Sequence, residues 1–328
     1  MGFRFVVATI RAVNSKGLSP TLKILFVKTS SLGDVVHHCP AVSDAARALP
    51  DAAIDWVVEE AFAPIAAMHP AVRRVIPVAV RRWRRSWWRP AVWSEIGAFR
   101  RALRAEHYDA VIDAQSLVKS ALISRWADGT RHGMDRASAR EPLAARFYDV
   151  RHPVPRGAHA VERNRQLTAA ALGIALPAGI DYGLRAAPAR GEGPAPVVFL
   201  TMTSRADKLW PEERWIALGR ALARPLVLPW GSGAERERAE RIAHALPGAT
   251  VPERKALDQL ASLFATAEAV VGLDTGLTHL AAALGARTVG IYCGSDPRLT
   301  GLYGVPRARN AGALGEMPDV SRVLELLR

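Results

Sequence analysis

Short apolar runs rich in β-branched residues alternate with helix-period segments along most of this chain, and that alternation restricts the fold more than any other feature. The run Leu22–Thr29 reads as a buried parallel strand, and a helical pattern over Val35–Ala48 follows it, with apolar Val35, Cys39, Val42 and Ala46. Further strand patterns at Ile54–Glu59, Val75–Val80 and Ala110–Ala114 alternate with helical ones at Phe62–Met68, Val92–Ala105 and Leu117–Ala127. A helix over Ala160–Leu172 precedes a Gly/Ala/Pro-rich stretch, Gly173–Pro196, which reads as a linker. A second series then runs through strands at Val197–Thr203, Leu226–Pro229, Ala269–Leu273 and Thr288–Tyr292. Its helices are expected at Pro211–Ala223, Ala234–Leu246, Leu257–Ala267 and Gly276–Leu284, with a last one at Val320–Leu327. Such succession implies open parallel sheets covered by helices on both faces.

The expected fold is therefore α/β, with two doubly wound Rossmann-like domains facing across a cleft. Residues 1–21 are expected to be a tail outside the core, 22–180 an N-terminal domain and 181–328 a C-terminal domain, with the last helix a candidate to pack back on the first domain. In this architecture ligands sit at the carboxyl ends of the strands. A length of 328 residues suits two domains, and a 49% hydrophobic share is too high for disorder. Cys39 and Cys293 are too few for a disulfide framework and read as buried thiols in a reducing cytosol. No apolar run approaches the ~18 residues needed to span a bilayer. No signal peptide is expected in the first residues, and Val6 argues against myristoylation.

A net charge of +13 points to an anionic partner. Five of the arginines fall in one run, Arg81, Arg82, Arg84, Arg85 and Arg89, interleaved with Trp83, Trp87 and Trp88.

Neither G-x-G-x-x-G nor G-x-x-x-x-G-K-[ST] occurs, so a dinucleotide oxidoreductase and a P-loop nucleotidase lose their main support. Three other turns take their place. In the first, the strand ending at Leu273 leads through Asp274 and Thr275 into a helix opening at Gly276, with His279 one turn on. Unpaired amides at such a helix start suit a pyrophosphate. The alternative is that Asp274 is only a helix cap and His279 an ordinary surface histidine. In the second, Thr203, Ser204 and Lys208 follow a strand and could offer hydroxyls and a cation to phosphate, or could simply form a helix entry with Pro211 at its first position. In the third, Gly33 and Asp34 follow the first strand, and Asp34 is either a general base or a cap. His37, His38 and Cys39 are adjacent, point in different directions on a helix and lack a second ligand pair, so no metal is assigned to them. No two aspartates stand at i, i+2, so a paired-aspartate metal site for a sugar nucleotide lacks its residues.

Taken together, the Lys28–Asp34 turn, Ile54–Glu60, Val75–Arg84, Tyr108–Gln115, His132–Asp135 and Asp274–His279 resemble the lipopolysaccharide heptosyltransferase I family, in order, from Leu22 to the end. The resemblance implies a GT-B glycosyltransferase that moves heptose from ADP-heptose to a Kdo sugar of Kdo2-lipid A with inversion, with no cofactor and no required metal. By the same resemblance Asp34 is the general base, and Lys208 a catalytic and donor-binding cation. Thr203 and Ser204 are diphosphate contacts, with Ser204 where the family usually has a second threonine, and Glu235 is the acid at the nucleotide ribose. Asp274, Thr275, Gly276 and His279 form the donor-sugar and phosphate segment, while Arg81, Arg82, Arg84 and Arg85 bind the acidic acceptor. It further implies a cytoplasmic protein peripheral on the anionic inner-membrane surface.

Two other classes fit less. A nucleic-acid binder would use the arginines and tryptophans to clamp phosphates and stack bases but leaves the anion turns unexplained, so no nucleic-acid partner is expected. A heptosyltransferase adding a later core sugar, or a nucleotide-sugar epimerase on the same architecture, stays closer.

Overall fold

The structure is a computed structural model that describes residues 21–188, 194–203 and 205–328. The expected tail lies outside the described residues except for Thr21, and Ser204 lies outside them as well. The chain divides into two compact units. One runs up to Ser30 and resumes over His37–Gly183, and the other joins Ser31–Val36 to Leu184–Arg328.

In the first unit six parallel strands are described: β1 (Lys23–Val27), β2 (Ala53–Glu59), β3 (Val72–Val78), β4 (His107–Asp113), β5 (Asp128–Met134) and β6 (Val150–His152), in the order β3-β2-β1-β4-β5-β6. The order reverses between β1 and β4, where Phe26 stands beside both Trp56 and Ile112. Leu25, Val27, Val57 and Val111 meet Phe99 and Leu103 of the Pro90–Arg104 helix to form a core. Each such burial stabilises by ~1.5–3 kcal/mol relative to exposure. Asp55 in strand β2 is fully buried, and it is matched by Arg73 at 2.8 Å, Arg74 at 2.9 Å and the Tyr108 hydroxyl at 2.8 Å.

Strands β5 and β6 were not expected from the sequence. Their segments, DGTRHGM and VRH, contain no apolar run, and only the last three residues of β5 are buried. Gly133 is required there, because a Cβ would lie 2.2 Å from the Tyr148 ring. The helix expected over 35–48 is two helices, Leu32–Val36 and Cys39–Ala48. Pro40 has no amide proton and is accommodated in the first turn of the second. His38 packs its ring edge-on between Phe26 and Trp56, with centroids 4.8 and 5.1 Å away.

The second unit repeats the strand order. Among the described residues its parallel strands are β7 (Val197–Leu200), β8 (Leu226–Val227), β9 (Ala249–Thr250), β10 (Ala269–Leu273), β11 (Thr288–Ile291) and β12 (Ala308–Ala311), arranged β12-β11-β10-β7-β8-β9. Phe199, Trp210 and Trp215 anchor its core, with ring centroids 5.0 and 5.1 Å apart. The closing helix, Val320–Leu327, adds Val323 and Leu327 to this same core. The reversal of strand order falls between β7 and β10, which the Val198↔Val270 register sets side by side.

Candidate active site

The carboxyl ends of β7 and β10 converge on one carboxylate. Asp274, immediately after β10, accepts from Lys208 Nζ at 2.5 Å and from Ser295 Oγ at 2.6 Å through Oδ2, while His279 Nε2 lies 3.4 Å from Oδ1. Lys208 ends a single 3₁₀ turn, Ala206–Lys208, on the loop after β7, and Ser295 lies on the loop after β11. Burial opposes ionisation of Asp274, but the hydrogen bonds from His279, Lys208 and Ser295 outweigh it and hold this carboxyl well below the usual range. Both side chains are only partly exposed, Lys208 at 16% and Asp274 at 9%.

The helix over Gly276–Ala283 starts beside this pair. Its N-cap is Thr275, not Asp274, and the Thr275 side chain makes no hydrogen bond to the helix amides. The Thr275 hydroxyl is instead 3.2 Å from that of Thr278, which donates to the Leu273 carbonyl at 2.6 Å. The amides of the first turn are therefore left without a side-chain cap, at the positive end of the helix dipole. His279 is 5% exposed. Both simpler readings, Asp274 as a cap and His279 as a surface residue, are thus corrected by the structure. Ser295 was missed: it lies on the turn between β11 and the single-turn helix Pro297–Thr300, and no residue pattern there points to Asp274.

Asp34 occupies the first turn of the Leu32–Val36 helix. Its Oδ2 accepts from the Ser31 amide at 2.9 Å and from the Ser31 hydroxyl at 3.3 Å, half of a capping box. This helix belongs to the second unit because Gly276 lets it approach. A Cβ at Gly276 would lie 2.5 Å from the Leu32 Cβ and 2.7 Å from the Gly33 amide nitrogen. The structure thus brings Asp34, Lys208, Asp274, Thr275, Gly276 and His279 into one unit. Thr203 stands half-buried on the loop after β7. Glu235 sits at the start of the Gly233–His244 helix, where Oε2 accepts from the Gly231 amide at 2.7 Å and its own amide donates to Ser232 Oγ at 3.4 Å.

The arginine run forms a short helix, Val80–Arg85, in the first unit. Arg82 is engaged by Glu60 at 3.0 Å and Glu95 at 2.8 Å, and Arg81 stacks its guanidinium 5.3 Å from the Phe62 ring centroid. Arg84 and Arg85 are exposed. Among the described residues no group of three or more His, Cys, Asp or Glu side chains is placed to hold a metal ion, and no helix is long and apolar enough to cross a membrane.

A doubly wound sheet that sets a lysine and an uncapped helix start at its switch point is the architecture of a protein that handles phosphorylated ligands. Residues 96–326 match the profile of glycosyltransferase family 9 (heptosyltransferase), and the chain belongs to that family of enzymes. It is 50% identical over 290 residues to lipopolysaccharide heptosyltransferase 1 of Pseudomonas aeruginosa, covering 86% of this chain and 82% of that one. With the Escherichia coli K12 enzyme of the same name it is 48% identical over 293 residues, covering 86% and 91%. The solved structure of E. coli heptosyltransferase WaaC with ADP superposes with a TM-score of 0.85 at 45% identity, covering 92% of this chain and 96% of that one. The two-sheet α/β architecture is that of the GT-B heptosyltransferases.

Proposed function

We propose that this glycosyltransferase is a lipopolysaccharide heptosyltransferase I, which moves heptose from ADP-L-glycero-D-manno-heptose to a Kdo residue of Kdo2-lipid A with inversion, on the cytoplasmic face of the inner membrane. Supporting the donor and the pathway are the names of the relatives at about half identity and the ADP in the WaaC structure. The single observation that carries the chemistry is the uncapped start of the Gly276–Ala283 helix beside the Lys208–Asp274 pair at the β7/β10 switch point.

In this mechanism the acceptor hydroxyl gives its proton to Asp34 as its oxygen attacks the anomeric carbon, and the bond from that carbon to the diphosphate oxygen breaks in the same displacement. Ser31 holds one Asp34 oxygen and so fixes the orientation of the carboxylate. Negative charge grows on the departing ADP, where Lys208 and the Gly276 amide end stabilise it, the part a metal ion plays in other transferases. Asp274 keeps Lys208 aimed, with Ser295 and His279 holding Asp274. Thr203, Ser204 and Thr275 are assigned to the diphosphate and Glu235 to the ribose. Glu235 already accepts from Gly231, so its second oxygen is the one assigned to the ligand. Arg81, Arg82, Arg84 and Arg85, all exposed, are assigned to the carboxylates and phosphates of the acceptor.

The test is mass spectrometry of the product after incubation with ADP-heptose and Kdo2-lipid A. A gain of one heptose with release of ADP is expected. Transfer only to an acceptor that already carries heptose would replace this reading with that of a later core transferase.

A further inference from the structure

The first unit carries an exposed aromatic patch that the transfer chemistry does not use. Trp87, Trp88 and Trp93 are 63%, 63% and 60% exposed. The same stretch shows what a structural tryptophan does here: Trp83 is 9% exposed and donates its indole N–H to Glu95 at 2.8 Å. The three outer indoles are ordered against each other. Trp93 Nε1 donates to the Trp87 carbonyl at 2.8 Å, and the Trp87 and Trp88 rings meet edge-on with centroids 6.4 Å apart. A large apolar group held out in water at this density marks an interaction surface.

Charge identifies the partner. Arg84, Arg85 and Arg89, which flank Trp87 and Trp88 in the sequence, are exposed. The nearby acids Glu60 and Glu95 are both engaged by Arg82. The patch therefore presents flat amphipathic rings within a cationic surround. Indoles with this character settle at the headgroup level of a bilayer, and arginines near an anionic leaflet add a salt-screened attraction. A second copy of the chain placed symmetrically on the patch would set like charges against each other.

We propose that Trp87, Trp88 and Trp93, flanked by Arg89, form an interfacial anchor that seats the enzyme on an anionic lipid surface. The proposal rests on the reading of a membrane-held acceptor, and it separates holding the membrane from holding the acceptor sugar.

The experiment is flotation of the full chain with phosphatidylcholine vesicles, with and without phosphatidylglycerol and free of any Kdo lipid. Wild type is expected to float with the anionic vesicles, with a blue shift of tryptophan emission. Binding is expected to weaken by about tenfold or more in Trp87→Ser/Trp88→Ser/Trp93→Ser and in Trp87→Ser/Trp88→Ser, which leaves the Trp93 hydrogen-bond donor in place. Trp87→Phe/Trp88→Phe/Trp93→Phe is expected to keep most of the binding, which separates anchoring from misfolding. Heptose transfer to a deacylated, water-soluble Kdo acceptor is expected to be unchanged in all three variants. Failure of wild type on that soluble acceptor would count against the transfer reading and leave the flotation result standing. Serine variants that float like wild type would overturn the anchor. So would a wild type that ignores anionic vesicles but forms a dimer that Trp87→Ser/Trp88→Ser dissolves.

Discussion

At the β1/β4 switch point of the first unit, the backbone amides of the turn after the strand are already taken. The amides of Thr29 and Ser30 both point at the Gln115 side-chain oxygen, at 3.1 and 3.2 Å, and Lys28 Nζ donates to the Ala114 carbonyl at 2.9 Å. Beneath them Asp113 is wholly buried among the Tyr148 and Ser120 hydroxyls and the Gln115 and Ser116 amides. Burial pushes its carboxyl above the usual range despite those donors. At the β7/β10 switch point of the second unit the helix amides lack a side-chain cap, and the buried carboxylate is held ionised against a lysine. One strand order, used twice, thus yields an edge whose turn amides are matched internally and a charged edge. Topology supplies the position, and the residues at the strand ends decide whether the position can take an anion.

The largest effect is expected at Asp34, the proposed base. Asp34→Asn keeps an oxygen for the Ser31 amide but removes basicity, so kcat is expected to fall by roughly 10²–10⁴ while the melting temperature and ADP-heptose affinity stay near wild type. Near-normal turnover, or loss of activity only through unfolding, would make Asp34 a cap.

Acid should break the two units apart in stability. His38, His69, His132 and His152 of the first unit are all buried, and burial keeps their imidazoles neutral, with His69 and His132 pushed down to about 4. In the unfolded chain they take up protons near pH 6.5, so their contribution is full above that pH. It is lost as pH falls toward 4, by about 3 kcal/mol for a histidine shifted as far as His69 or His132. The Asp274 carboxyl, held below the usual range, keeps its pairs through the same window. Hydrogen exchange followed by mass spectrometry at pH 7 and pH 5, corrected for intrinsic rates, is expected to show first-unit amides losing protection first. Earlier loss in the second unit would reverse the contrast.

A smaller effect tests the closed edge directly. Gln115→Ala removes the acceptor shared by Thr29 and Ser30 and is expected to cost about 1–3 kcal/mol in denaturant unfolding, the penalty for stranding buried amides, with ADP affinity unaltered. An unchanged midpoint would mean that water replaces the side chain without loss.

How far this could be read from the chain depends on where the contacts come from. Strands β1, β7 and β10 announce themselves as buried apolar runs, and the turns at Asp34 and Asp274 follow directly from them. Strand β5 is invisible to the same logic because its pairing is with β4 and β6, through a backbone that carries Gly and charged residues. The break before Cys39 was available in Pro40, whose place in a helix is restricted to the first turn. At the site, Lys208 and Asp274 are joined across 66 positions by the adjacency of β7 and β10, which no local pattern encodes. Ser295 depends on β11 falling next to β10, and the satisfaction of Thr29 by Gln115 on β4 falling next to β1.

The central assignment, donor diphosphate to the charged edge of the second unit and acceptor to the arginines of the first, is tested most directly by titrating ADP into three proteins by calorimetry. These are wild type, Lys208→Ala and Arg84→Ser/Arg85→Ser. A charge-assisted hydrogen bond contributes about 1.5–3 kcal/mol, so Lys208→Ala is expected to weaken ADP roughly tenfold to a hundredfold. ADP-heptose should weaken less, because the free terminal phosphate carries the charge that Lys208 meets as ADP departs. The arginine variant is expected to bind ADP as wild type does. ADP binding lost in Arg84→Ser/Arg85→Ser and retained in Lys208→Ala would contradict the assignment.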